Sequence, residues 1–126
     1  MQALPNFHAA WLGICAGCIA GAIQGLFFRG ETWLGGYGSW PRRMLRLGHI
    51  SLVGIGFINL SFALSVAVFG IAGGTLWPSR LLIVGAITMP LLCYASAFRD
   101  VFRHLFFIPA LSLVAATLMI VWRLLA

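Results

Sequence analysis

Four long apolar runs constrain this chain more than any other feature of its sequence. They cover residues 7–28, 47–70, 81–98 and 104–122, and almost every charged residue falls between them. A helix needs about 20 apolar residues to cross a bilayer, and its charged flanks meet water and lipid phosphate. The pattern predicts an all-α integral membrane protein. Its four transmembrane helices would form an antiparallel, up-down-up-down bundle and one domain over residues 1–126.

The composition argues against an ordinary soluble domain. Hydrophobic residues make up 62% of the chain and charged residues only 8%, whereas a typical globular domain has about 25% charged residues. The net charge of +6 would suggest nucleic-acid binding in a soluble protein. Here all eight basic residues are arginines near the ends of the runs. We therefore predict the lipid bilayer as a partner, and no nucleic acid.

The arginines also predict how the chain is oriented. Four spans would place the first and third connections on one side of the membrane, and these connections hold Arg29, Arg42, Arg43, Arg46, Arg99 and Arg103. Only Arg80 and Arg123 lie on the opposite side. Because arginine-rich connections stay in the cytoplasm, we expect connection 29–46 to be cytoplasmic and both termini to be non-cytoplasmic. A bacterial inner membrane is the expected location.

Glycine recurs at every fourth position of the first run, at Gly13, Gly17, Gly21 and Gly25. On a helix these residues lie along one face and form a shallow groove. In lipid, small residues let helix backbones approach closely, and this packing stabilises helix association. The spacing predicts a helix-packing face whose partner is either another span of this chain or a different subunit.

Asn59 is the most polar residue well inside the second run. A buried amide must find a hydrogen-bond partner, and such bonds commonly fix the register of membrane helices. Candidate partners in the other runs are Thr88, Ser112 and Thr117. We predict a polar core that contains Asn59 and Thr88.

Local signals also mark the third and fourth runs. Ser79 is a favourable N-cap for the third span. Pro90 and Pro109 each lack a backbone donor, so we expect them to bend spans three and four. These bends would accommodate packing between neighbouring helices.

Two histidines support a specific chemical hypothesis. His49 follows Arg46 by three residues and His104 follows Arg103 directly, so an antiparallel bundle would place both at similar depth on the cytoplasmic side. Two imidazoles on facing helices can ligate one haem iron. Haem propionates or lipid phosphates could pair with the nearby Arg42, Arg43, Arg46, Arg99 and Arg103. Alternatively, both histidines face headgroups or water. No other metal site is predicted.

Cys15 and Cys18 form a C-x-x-C motif in the first run. In this motif and the number of spans, the chain resembles the quinone-linked enzymes that generate disulfides in membranes. Those enzymes also need a second cysteine pair in an outer loop, and no cysteine lies in a connection of this chain. We therefore expect the two thiols to be small packing residues beside the glycine face.

The sequence provides no self-sufficient catalytic set. Its two acidic residues, Glu31 and Asp100, lie in different connections, and no charged residue is predicted in the bilayer interior, which argues against a proton relay or a carrier of charged substrates. We predict no catalytic residue. The sequence favours a structural or accessory subunit that packs in a larger membrane complex or with itself through the glycine face. The alternative is a b-type haem protein for electron transfer.

Overall fold

The fold consists of helices joined by short connections. The computed structural model describes residues 3–70 and 73–125, which form α1 (Leu4–Phe27), α2 (Trp40–Phe69), α3 (Leu76–Phe98) and α4 (Phe107–Leu125), with 3₁₀ segments at Trp33–Gly35 and Asp100–Leu105. Among the described residues, four helical segments are long and apolar enough to cross a membrane, and the fourth is counted together with the 3₁₀ segment before it. The predicted all-helical chain with four membrane-type segments is confirmed.

Helix α2 begins well before the apolar run that predicted it. It starts at Trp40, because Ser39 caps its first turn by accepting a hydrogen bond from the Arg42 N–H and Pro41 suits the second helical position. Arg42, Arg43 and Arg46 therefore belong to the first turns of this helix rather than to an irregular connection. At its other end, Gly70 adopts a left-handed conformation, with φ of 63°, and terminates the helix.

Two local predictions for the later helices are wrong. Helix α3 begins at Leu76, so Ser79 is a buried residue inside the helix and not its N-cap. Helix α4 begins at Phe107, and Pro109 therefore lies in its first turn. A first-turn N–H has no partner within its own helix, so Pro109 removes no helical hydrogen bond there. Pro90 does lie inside α3.

Helices α1 and α2 pack closely because glycines meet backbone. A Cβ atom added to Gly13 would lie 3.0 Å from the carbonyl oxygen of Leu52, and one added to Gly56 would lie 3.1 Å from that of Ala10. Further along α1, Gly17 faces Val53. Ala10 near the start of α1 meets Gly56, whereas Gly21 nearer its end meets His49, so the two helices run in opposite directions.

Helix α3 packs against α2, and α4 packs against α3. The Trp40 indole donates a 2.8 Å hydrogen bond from α2 to the Ser96 carbonyl on α3. Gly85 of α3 packs against Leu113 of α4. Two apolar clusters fill the interior. One contains Ala3, Phe62, Ala63, Leu82 and Ala116, and the other contains Met44, Leu45 and Ala97 with aromatic residues of both adjoining connections.

We predict that Gly56→Ala destabilises the protein by about 1–3 kcal/mol, the usual cost of overpacking a tight contact. The added methyl group would approach the backbone of Ala10 and Ile14, which can retreat only if α1 moves away. Gly25→Ala is the matched control, because a Cβ added there meets no atom within 4 Å. Equilibrium unfolding in mixed detergent and sodium dodecyl sulfate micelles measures both variants. Equal stability of the two variants would contradict this account of the helix contact.

Candidate functional site

A buried polar network joins the first three helices. The Asn6 side chain of α1 donates from Nδ2 to Asn59 Oδ1 of α2 at 2.8 Å and to the Ser79 carbonyl of α3 at 3.1 Å. The Ser79 hydroxyl donates to Asn6 Oδ1. Asn59 Nδ2 donates to the carbonyls of Ile55 and Leu82, at 3.0 and 3.4 Å. Each amide is fully buried and both use their donors and acceptors within the protein.

The three residues predicted as hydrogen-bond partners of Asn59 donate instead to carbonyls of their own helices. Thr88 donates to the Val84 carbonyl of its own helix at 2.7 Å. Ser112 and Thr117 likewise donate to carbonyls within α4. The partner that the sequence did not indicate is Asn6, because it precedes the first apolar run and resembles a polar flank. Pro5 is the signal that could have identified it, because proline favours the first turn of a helix and would place Asn6 inside α1.

A second polar group lies further along the α1–α2 contact. The His49 ring packs over Gly21, where an added Cβ would lie 2.6 Å from Cε1. Its Nδ1 lies 2.8 Å from the Gly17 carbonyl oxygen, so a ring with Nδ1 protonated donates a hydrogen bond across the two helices. Gln24 of α1 donates to the Tyr94 hydroxyl of α3 at 2.8 Å.

Of the four predicted packing glycines, three contact α2. Gly13, Gly17 and Gly21 meet its backbone or side chains, whereas a Cβ on Gly25 would meet open space. The first three glycines are therefore covered by another span of the same chain. For these three glycines the covering element is thus α2, and only Gly25 of the predicted face stays open.

The contacts of the two proposed haem ligands do not bring them together. His49 lies on the side of α2 that packs against α1, with its ring held between Gly17 and Gly21. His104 is exposed in the 3₁₀ segment that precedes α4 and packs beside α3. Haem ligation by this pair stays a prediction, and the packing of His49 against α1 favours a role in joining helices.

Arg42 is buried, whereas the other charged residues that the structure describes are exposed or half-buried. It is 2% exposed, and its guanidinium donates to the carbonyls of Phe28, Gly30, Glu31 and Trp33 at 3.1–3.5 Å. It also lies 4.6 Å from the centre of the Phe28 ring. The carbonyls belong to the end of α1 and the turn after it, where the helix dipole favours a cation. Arg42 is thus a C-terminal anchor for α1, with no surface left for haem propionates or lipid phosphate.

The other predicted phosphate or propionate contacts lie at the surface. Arg46 donates to the Tyr37 carbonyl at 2.9 Å and stacks 4.0 Å from the centre of its ring. Four more arginines are exposed, and within residues 3–70 and 73–125 their side chains make no hydrogen bond, ion pair or ring contact: Arg29, Arg43, Arg99 and Arg103. We call these four residues the basic end. They lie in or beside the first and third connections.

The cysteines and acids form no evident reactive centre in the described part of the chain. Cys15 and Cys18 are exposed on α1, while Cys93 is buried in α3. No group of three or more histidine, cysteine, aspartate or glutamate residues within residues 3–70 and 73–125 has the geometry to hold a metal ion.

Comparison with known proteins adds no relative. No protein-family model matches the chain, and neither a curated protein nor a solved structure is significantly similar to it.

We predict that Asn6 and Asn59 stabilise the protein cooperatively. A double-mutant cycle of Asn6→Ala and Asn59→Ala should give a coupling free energy of about 1 kcal/mol, because hydrogen bonds between membrane helices contribute from ~0.6 to ~1.7 kcal/mol. Thr88→Ala is the control and should change the free energy of unfolding by less than about 0.5 kcal/mol. Additive effects of the two asparagine substitutions, measured in mixed micelles, would count against the network.

We predict that Arg42→Met destabilises the protein by about 3 kcal/mol or more. The change leaves four carbonyls without their shared donor, and unsatisfied buried polar groups cost about 1–3 kcal/mol each. Arg43→Met is the matched control, since the neighbouring side chain is exposed and makes no hydrogen bond, ion pair or ring contact with the described residues. Unfolding in mixed micelles compares the two. A stable Arg42→Met protein would show that water replaces the guanidinium without cost.

Proposed function

We propose that this chain is a structural or accessory subunit of a larger membrane complex. The observation that carries the proposal is the basic end, where Arg29, Arg43, Arg99 and Arg103 are exposed without partners in the described residues. By contrast, the polar side chains between the helices form hydrogen bonds within the chain, and these are Asn6, Gln24, Arg42, His49 and Asn59. A framework held by such internal bonds, with a cluster of exposed and unpartnered arginines at one end, suits a subunit that binds through that cluster.

The glycine face gives little support to binding of a partner. Gly13, Gly17 and Gly21 are covered by α2, so they stabilise the chain itself. The contact surface is therefore assigned to the arginine-rich connections rather than to α1.

The chemistry of the basic end selects an acidic partner. Planar guanidinium groups bind carboxylates through two parallel hydrogen bonds. Glu31 and Asp100 lie in the same connections but form no ion pair with any arginine in the described residues. Carboxylates on the membrane-proximal surface of a larger subunit would complement this charge, and such complementarity mainly governs association rate and specificity.

We also propose how the chain is oriented in the membrane. Six of the eight arginines lie in the first and third connections or in the first turns of α2, so the positive-inside rule favours a cytoplasmic basic end and both termini outside the cytoplasm. The partner would then contact this chain at the cytoplasmic surface of a bacterial-type inner membrane.

No contact favours the haem alternative. A shared axial site needs His49 and His104 to face one another, and His49 instead packs against α1. We therefore do not extend the proposal to electron transfer.

The test is co-purification of the tagged chain from its native membranes in a mild detergent. We predict one discrete complex with a fixed stoichiometry to a larger subunit. The triple substitution Arg43→Gln, Arg99→Gln and Arg103→Gln should reduce the yield of that complex about tenfold, and added salt should mimic the loss. Arg80→Gln is the matched control, since Arg80 is an exposed arginine that lies outside the first and third connections.

The control for orientation is a reporter fused after residue 126. Alkaline phosphatase is active only outside the cytoplasm, so it should be equally active in the parent and the triple variant. A triple variant that is correctly inserted and retains the full complex would refute the proposed contact. A chain that purifies alone, with lipid as its only companion, would refute the accessory role itself.

A further inference from the structure

An open groove lies between α2 and α4. Its volume is about 320 Å³, within the range of ~300–1,000 Å³ that ligand pockets usually have. The walls are formed by Phe57, Ile58, Ser61, Phe62 and Ser65 of α2 and by Thr117, Ile120 and Val121 of α4. Because α4 packs mainly on α3, Phe57, Ile58 and Ser61 on this side of α2 stay exposed.

The walls of the groove are apolar in effect. Its three hydroxyl groups are already used, since Ser61, Ser65 and Thr117 donate to carbonyls of their own helices at 2.8–3.0 Å. Hydroxyls bonded in this way present mainly carbon and need no polar ligand. From Phe57 to Ser65 the wall extends about 12 Å along the helix. This length and lining suit a flexible hydrocarbon chain.

The groove continues toward a cation. A small adjoining cavity shares Phe62, Ser65 and Ile120 with the groove and is also lined by Arg123. The Arg123 guanidinium lies over the Gly73–Gly74 turn and donates from Nη1 to the Gly73 carbonyl at 2.9 Å. Arg123 is exposed and forms no ion pair with a carboxylate in the described residues. Its remaining N–H groups can bind an anion.

We propose that this groove binds one anionic phospholipid, with an acyl chain between α2 and α4 and the phosphate at Arg123. The order of the features along the groove, from apolar walls to a single guanidinium, matches the order of hydrocarbon and phosphate in a lipid. Guanidinium groups bind phosphate bidentately. A net anionic lipid is favoured over a zwitterionic one because the second headgroup charge of the latter would repel Arg123.

A helix from a second copy of the chain does not fit the same space. An α-helix about 10 Å across and 12 Å long would occupy on the order of 900 Å³, nearly three times the groove volume of about 320 Å³. A second protein helix would therefore stay outside the groove and insert only side chains into it, whereas an extended acyl chain can lie within the groove.

The test compares lipids with identical acyl chains, added to the purified protein in detergent. Phosphatidylglycerol should raise the Tm by about 5 °C, through preferential binding to the folded state, and phosphatidylcholine should raise it clearly less. Native mass spectrometry should detect one retained phosphatidylglycerol molecule. Inorganic phosphate at the same concentration should have no effect, since it cannot occupy the groove.

Arg123→Gln should weaken phosphatidylglycerol binding about tenfold, as expected from the loss of a charge-assisted bidentate contact. Arg80→Gln is its matched control, because Arg80 is an exposed arginine that stacks near Trp77 and lines neither cavity. Ser65→Leu should also weaken binding by filling the groove, while Val68→Leu, on the exposed surface of α2, should not. If Arg123→Gln fails to fold, Arg123→Lys retains the charge and should weaken binding partially.

Three results would overturn the proposal. Equal stabilisation by the two lipids would remove the role of headgroup charge. Equal weakening by Arg80→Gln and Arg123→Gln would show a diffuse electrostatic effect instead of a site. A dimer that Ser65→Leu disrupts and phosphatidylglycerol does not would assign the groove to a second copy of the chain.

Discussion

Buried polar groups in a membrane protein cannot rely on water, and the rest of this structure depends on that constraint. The amides of Asn6 and Asn59 are fully buried, so each must bond within the protein. Together with Ser79 they connect three helices at one point. Because the hydrophobic effect does not bring helices together in lipid, such directional bonds help to select one arrangement among many apolar packings.

Close backbone contact and the buried guanidinium complete the arrangement. Gly13 and Gly56 allow α1 and α2 to meet with few intervening side-chain atoms, which makes dispersion contacts between the helices dense. Arg42 then joins the end of α1 to the start of α2 through four carbonyls. The network near Asn6 and the anchor at Arg42 lie at opposite ends of α1, so they fix its position along its whole length.

These internal bonds also separate structural from interactive residues. His49 and Arg42 are the residues that chemistry would first suggest as functional, yet both bind α1 or the turn that follows it. In the part of the chain that the structure describes, the arginines without a hydrogen bond, ion pair or ring contact lie at the basic end, and a further cation, Arg123, lies at the end of the α2–α4 groove. The proposed binding of a partner and of lipid therefore uses surfaces that the internal framework leaves free.

The sequence alone determined the class of the protein. Apolar runs of span length, with arginines confined to their ends, can satisfy their backbone groups in lipid only as helices. The hydrogen-bond partners of individual side chains could not be predicted in this way, because hydropathy does not indicate which faces of two helices contact each other. Thus the sequence predicts Thr88 as a partner of Asn59, whereas Thr88 bonds within its own helix, Asn6 donates to Asn59, and Ser79 joins the network through Asn6. Only the tertiary structure decided that α2 covers the glycines, that Arg42 is buried, and that a groove separates α2 from α4, since each of these depends on how the helices are rotated and spaced.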